Sequence, residues 1–338
     1  MMERGRVMKR ILGRIAYRTL TYGAKVISLL LAVSVISFAL VSASPVDPVQ
    51  QYILRVGTAV SPEQREEIED YWGVDKPPDE RYMDWLSEIL HGNLGESLVY
   101  RRPVADIIGE RFLNSLALMF CAWLFSGVIG FSLGCVMGMY KDRWPDRILK
   151  KICYVLSCVP TFWLGLLFLL VFSVWLGWFP IGFSTPIGVT SGEVTIWQKM
   201  YHLILPAFTL CILSFVNIAL HTRQKLVEVL NSEYVLFARA RGERELTVLR
   251  RHGLRNILLP AVTLQFASFA ELFGGSVMAE NVFSYPGLGS AVSEAGLNAD
   301  VPLLLGVTLF SALFVCVGNM TANVLYGIID PQIREVGE

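Results

Sequence analysis

The sequence predicts an all-α membrane protein with six transmembrane helices and a small external helical region after the first span. Three observations predict this class. Hydrophobic residues make up 54% of the 338 residues and charged residues 17%, where a soluble domain carries about 25% charged residues. The apolar residues gather into six separated runs, centred near Leu31, Phe125, Leu167, Leu210, Phe269 and Leu313, and a helix needs about 20 mostly apolar residues to cross the hydrocarbon core. The hydrophilic stretches between those runs alternate in charge, as loops on alternating sides of a membrane do.

Taken in order, residues 1–25 form a basic segment, with Arg4, Arg6, Lys9, Arg10, Arg14, Arg18 and Lys25 against Glu3. That excess holds the N-terminus in the cytoplasm. Residues 26–44 are the first span. Val41-Ser42-Ala43 would suit signal-peptide cleavage, but the apolar run exceeds the roughly 7–15 residues of a signal, so a retained span is expected. Residues 45–111 carry fourteen acids against seven bases and are assigned outside. Ser61-Pro62-Glu63 has the residues of a helix start. Asp79 to Leu90 sets Tyr82, Trp85, Leu86 and Ile89 at helical spacing. The acidity of this region is read as a solvated face.

Residues 112–328 hold the remaining five spans as one core. Lys141 to Lys151 has five bases and two acids, Gly177 to Met200 is nearly uncharged, and Asn281 to Pro302 contains no base. Eight Lys and Arg residues lie between Arg223 and Arg255, which marks 223–258 as a cytoplasmic loop. Residues 329–338 are a cytoplasmic tail. The topology is multi-pass with both termini inside.

Enzyme chemistry finds no foothold. Cys121, Cys135, Cys153, Cys158, Cys211 and Cys316 lie in or beside apolar spans and read as small buried hydrophobes without disulfides. No Gly-x4-Gly-Lys-Ser/Thr segment is present, and Gly287-Leu-Gly289 lacks the third glycine and the preceding strand of a dinucleotide loop. His91, His202, His221 and His252 are scattered, so neither a metal site nor a nucleophile–base pair can be argued. No internal inverted repeat or broken helix is visible, which argues against an ATP-independent secondary transporter.

Polar residues within spans are costly and point inward. Glu271 falls near the middle of the fifth span and Glu280 near its outer end, with Ser276 between them. Both carboxylates are candidates for a translocation pathway or gate, and hydrogen bonding to a neighbouring span would serve equally. Gly274-Gly275 beside them permits close helix contact. Asn217 and His221 share a face of the fourth span at i,i+4 spacing, suited to a mutual hydrogen bond. Pro206 and Pro260 suit helix starts. Glu233 to Arg241 has helical propensity, Gly242 can end that helix in the left-handed region, and Arg239 and Arg241 complement its dipole. One face offers Tyr234, Phe237 and Ala238.

A co-linear set of segments gives these residues a context. Pro45-Val-Asp47-Pro48, Gly92-Asn-Leu-Gly95-Glu-Ser97, Arg102-Pro103-Val104 and Glu110-Arg111-x-x-Asn114-Ser115 are followed by Pro160-Thr-Phe162-Trp163-Leu-Gly165, Leu176-Gly-Trp-Phe-Pro180 and His202-Leu-Ile-Leu-Pro206-Ala207. Then come Ala238-Arg-Ala240-Arg-Gly242, Gly274-Gly275-Ser-Val-Met-Ala-Glu280-Asn-Val-Phe283-Ser-Tyr-Pro286-Gly287-Leu-Gly289 and Asp330-Pro331-Gln-Ile-Arg334. Over nearly its whole length the chain resembles permease subunits of the dipeptide/oligopeptide/nickel importers, which have the type I ABC importer permease fold. The chain departs from the pattern at Glu243, where that branch commonly has Leu.

The resemblance implies that Glu233, Tyr234, Phe237, Ala238, Arg239, Ala240, Arg241, Gly242 and Pro260 dock an ATPase. It implies a homologous second permease subunit, two ABC ATPase subunits and an extracytoplasmic substrate-binding protein. ATP and Mg belong to the ATPases, so no cofactor is bound directly and the chain itself is not an enzyme. It would lie in a bacterial or archaeal cytoplasmic (inner) membrane, with the lipid bilayer around it and no nucleic acid partner. Di- and oligopeptides are the expected cargo. The alternatives are nickel or a metal–chelator complex carried by the same architecture, or a secondary transporter.

Overall fold

A computed structural model describes residues 2–44, 76–186, 188 and 194–329. The expected helix start at Ser61, the Pro45–Pro48 motif and the Asp330–Arg334 motif lie outside the described residues. Among the described residues the elements are helices: α1 (Met2–Ser42), α2 (Pro78–Leu90), α3 (Val104–Met139), α4 (Trp144–Cys158) and α5 (Thr161–Phe168). They are followed by α6 (Ile196–Leu230), α7 (Glu233–Ala240), α8 (Glu245–Val248), α9 (Leu254–Val282), α10 (Leu288–Leu297) and α11 (Val301–Ile329). Wider π-type turns extend α5 over Leu169–Trp175 and join α8 to α9 over Leu249–Gly253. Among the described residues no strand forms beyond a single bridge, Glu96 to Pro103.

Three helical stretches, within α1, α3 and α11, are long and apolar enough to cross a membrane, and six are if each bent pair counts as one span. The bend is a correction to the sequence reading, which finds no broken helix. α4 and α5 meet at 108°. Pro160 explains the corner: it has no N–H to offer a preceding turn, and it forces Val159 out of the helical region (φ −93°, ψ 129°).

Pro206 and Pro260, expected at helix starts, also prove to be interior, in α6 and α9. α6 begins well upstream of its proline, because Thr195 and Gln198 form a reciprocal capping box. α9 runs directly out of the turn at 249–253. A proline inside a helix forfeits one backbone hydrogen bond, a loss that spanning helices tolerate.

The chain divides into two compact units, residues 1–109 with 291–317 and residues 110–290 with 318–338. In the first, α2 turns its apolar face to α1. The Phe38 ring lies 5.4 Å from that of Tyr82 and 5.7 Å from that of Trp85, and the Ser34 and Tyr82 hydroxyls are 2.8 Å apart. The turn at 95–104 is pinned to the start of α11 by buried Asp300. Its carboxylate accepts from the Ser97 hydroxyl (2.6 Å), the Val99 N–H (2.9 Å) and the Leu303 N–H (3.2 Å). The last of these bonds satisfies a donor that the first turn of a helix leaves unpaired.

In the second unit α6 is central, packed against α3, α4, α5 and α9. Glycines at 130, 134 and 138 of α3 face it. A Cβ added at Gly130 would lie 2.7 Å from the Phe215 carbonyl oxygen, one at Gly134 2.5 Å from Thr222 Cβ, and one at Gly138 2.7 Å from Leu226 Cδ2. Small residues every fourth position thus let two backbones approach, where dispersion and packing replace the missing hydrophobic drive between helices in lipid. Gly274, expected to serve the same purpose, has nothing within 4 Å of an added Cβ among the described residues. Among the described residues the close glycine contacts with α6 are made by α3.

Candidate functional site

The basic segment folds into a short helix and a turn mounted on their own apolar core. Val235 of α7 and Val248 of α8 pack with Leu226, Leu230 and Ile257, all buried. At the end of α7 the Gly242 N–H donates to the Arg239 carbonyl (2.9 Å) and the Glu243 N–H to the Ala238 carbonyl (3.2 Å). This is a complete Schellman closure. Gly242 sits at φ +84°, a conformation glycine adopts without steric cost.

Around that turn the charges are arranged. Arg239 donates to Glu245 Oε2 (2.9 Å) and to the Leu230 carbonyl at the end of α6 (3.4 Å). Glu243, the departure from the family pattern, is mostly buried and faces Arg251 (3.9 Å) and His252 (3.5 Å). Asn256 bonds both the Tyr234 hydroxyl (3.2 Å) and the His252 carbonyl (2.7 Å). α7 is therefore held at both ends and underneath.

Its outward face is what remains. Phe237 is 70% exposed, and Leu236, Tyr234, Glu233, Ala240, Arg241 and Gly242 are exposed beside it. Ala238 does not belong to that face. Placed by spacing on the offered face, it is buried instead, because it shares the inner face with Val235 three residues before it. Leu236 is the exposed apolar residue that the sequence reading overlooks.

A second feature that reading overlooks anchors this segment. Arg223 grips Asp146 with two parallel bonds, Nε to Oδ1 at 2.5 Å and Nη2 to Oδ2 at 2.7 Å, and Asp146 also accepts from the Asp142 N–H (2.8 Å). Asp146 is fully buried. The first cation of the basic segment is thus an internal strut between α4 and α6.

The three polar candidates of the fifth span separate. Glu280 is fully buried and accepts from the Ser115 hydroxyl (2.6 Å) and the Gly289 and Ser290 N–H groups (2.7 and 3.1 Å). Ser115 in turn accepts from the Leu288 N–H (2.8 Å). Asn114 donates to the Pro286 carbonyl (2.8 Å). Gly287 is required here, since a Cβ would collide with the Glu280 carboxyl group. Ser276 is buried and donates to the Phe273 carbonyl of its own helix (2.8 Å). Glu280 and Ser276 are thus closed to solvent within this chain. Glu280 caps the start of α10, accepting from N–H groups that the first turn of a helix leaves unpaired.

Glu271 is different. It is exposed and lines a cavity of about 260 Å³ among α4, α5, α6 and α9, shared with Leu156, Ser157, Val159, Thr161, Leu164, Thr209, Ile212, Val216 and Asn217. Asn217 turns into this cavity, and no Asn217–His221 hydrogen bond forms among the described residues. The expected i,i+4 pair does not form, because the amide faces the cavity.

With that geometry in place, comparison with known proteins is consistent at each level. The family model described as "Binding-protein-dependent transport system inner membrane component" matches residues 130–335, and its N-terminal companion matches residues 14–119. An oligopeptide transport system permease protein of Bacillus subtilis (strain 168) is 34% identical over 309 residues, 91% of this chain and 96% of the relative. A glutathione transport system permease protein of Escherichia coli (strain K12) is 35% identical over 329 residues, 97% and 98% respectively. Among solved structures, an inward-facing MetNI methionine ABC transporter aligns with a TM-score of 0.54 at 16% identity, over 66% of this chain and 96% of that one. The fold is that of a type I ABC importer permease. The chain belongs to the family of inner-membrane components of binding-protein-dependent transport systems.

Proposed function

We propose that this chain is one of two permease subunits of an ATP-driven importer of di- and oligopeptides, and that α7 with the Gly242 turn docks it to an ATPase subunit. Membership of the family supports the permease role. The relatives that carry oligopeptides and glutathione, itself a small peptide, support the cargo. On this reading both termini and the basic segment face the cytoplasm of a bacterial or archaeal cell. Two ATPases bind ATP and Mg, and an extracytoplasmic binding protein delivers cargo on the other side. Nucleotide and the loaded binding protein stabilise opposite-facing states, which is what alternating access requires.

The observation that carries the docking role is the contrast within α7. Its inner face is locked into a core while Tyr234, Leu236 and Phe237 stay uncovered. A rigid element with an apolar outer face suits a cleft in a partner, and movement of that partner would pass through the buried face to α6 and α9. Phe237→Glu places a charge in the contact and should abolish co-purification of the ATPase subunits. Gly242→Trp should leave the permease folded but reduce ATP-dependent uptake at least ten-fold, since the turn needs positive φ and open space. Normal coupling in both variants refutes docking through this turn.

A further inference from the structure

We infer that the cavity at Glu271 binds a positively charged amine of the cargo, the α-ammonium of a peptide, part-way through its passage. The inference rests on the permease reading above and adds the chemistry of one station along the path. Glu271 is exposed within α9 and makes no hydrogen bond or ion pair among the described residues. An ionised carboxylate facing lipid at that depth is costly, so it needs either water or a cation.

The surrounding residues select what that cation can be. Ser157, Thr161, Thr209 and Asn217 supply hydroxyl and amide oxygens, and Leu156, Val159, Leu164, Ile212 and Val216 supply aliphatic walls. No lining residue is basic, so the carboxylate's charge is not answered from within the cavity. The Thr209 hydroxyl donates to the Leu205 carbonyl (2.9 Å), which leaves its lone pairs as acceptors. A group with several N–H donors and one positive charge fits this set of acceptors. The volume of about 260 Å³ falls just below the about 300–1,000 Å³ of pockets that enclose a whole small ligand. The cavity suits one end of a peptide.

The test uses the full complex, with partner permease, ATPases and binding protein, reconstituted in proteoliposomes. Uptake of a tripeptide with a free amino terminus is compared with that of its N-acetylated form, each loaded to saturation on the binding protein. Wild type, Glu271→Gln and Glu271→Asp are run in parallel, so that any preference of the binding protein cancels between them. The expected result is that Glu271→Gln lowers uptake of the free-amine peptide five- to ten-fold relative to the acetylated one, and that Glu271→Asp restores the wild-type ratio. An equal loss for both peptides overturns the inference while leaving Glu271 on the pathway. Unchanged uptake of both overturns the inference and the pathway role together. Absence of ATP-dependent peptide uptake by wild type is failure of the permease reading itself.

Discussion

The carboxylate of Glu280 gathers donors from two separate stretches of the chain: the Ser115 hydroxyl and the first N–H groups of α10. Each bond is to a carboxyl oxygen in a place closed to water, where losing the acceptor leaves its donor unsatisfied. Glu280→Ala should therefore cost about 1–3 kcal/mol for each orphaned donor, seen as a marked fall in the thermal midpoint of the purified protein. Glu280→Gln, which keeps one carbonyl acceptor, should fall less. A stable Glu280→Ala protein with impaired uptake would return Glu280 to the pathway. At this scale the sequence shows that Glu271 and Glu280 need partners but not which ones. Both are acids nine positions apart on one helix. What separates them is the register of Ser115 and of the Gly287-Leu-Gly289 turn, visible only once α3 and α9 are side by side. Ala238 fails for a similar reason: Ala fits an offered face and a buried one equally well by spacing.

Among the elements, the strut between α4 and α6 is the sharpest case. Asp146 is fully buried and Arg223 largely so. Breaking such a pair strands a charge and costs about 3–5 kcal/mol, whereas replacing both partners with apolar residues is often neutral. Asp146→Leu alone should thus be strongly destabilising, and adding Arg223→Met should recover most of the loss. Equal destabilisation in the single and double variants would mean that the pair is no strut. The sequence counts Arg223 among the loop's cations because nothing local marks its partner 77 residues away. Other features were more legible. The α7 helix, its glycine terminator and the amphipathic α2 follow from local spacing and capping chemistry. The glycines at 130, 134 and 138 carry a four-residue period that could have been read as a packing face. Pro160 carries the signal for the corner after α4, since the residue before a proline is driven out of the helix.

For the whole molecule, the class of fold was legible because lipid restricts spanning structures so severely: long apolar runs with alternating flanking charge leave few alternatives to a helical bundle. The proposed function at this scale has two ends. The uncovered face of α7 would take force from an ATPase, and the cavity at Glu271 would meet the cargo. The helices that join them, α6 and α9, pack against each other and against the core beneath α7. A unit built this way predicts that transport requires nucleotide hydrolysis and a delivering protein, and that neither alone suffices. The most direct measurement is uptake into proteoliposomes holding the full complex and its binding protein. A mixed pool of di- to oligopeptides is compared with nickel, free and chelated, with and without ATP. Peptide accumulation that needs ATP and is abolished by Gly242→Trp is the expected result. Accumulation that proceeds without ATP, or of nickel without peptide, contradicts the account, the first in its mechanism and the second in its cargo.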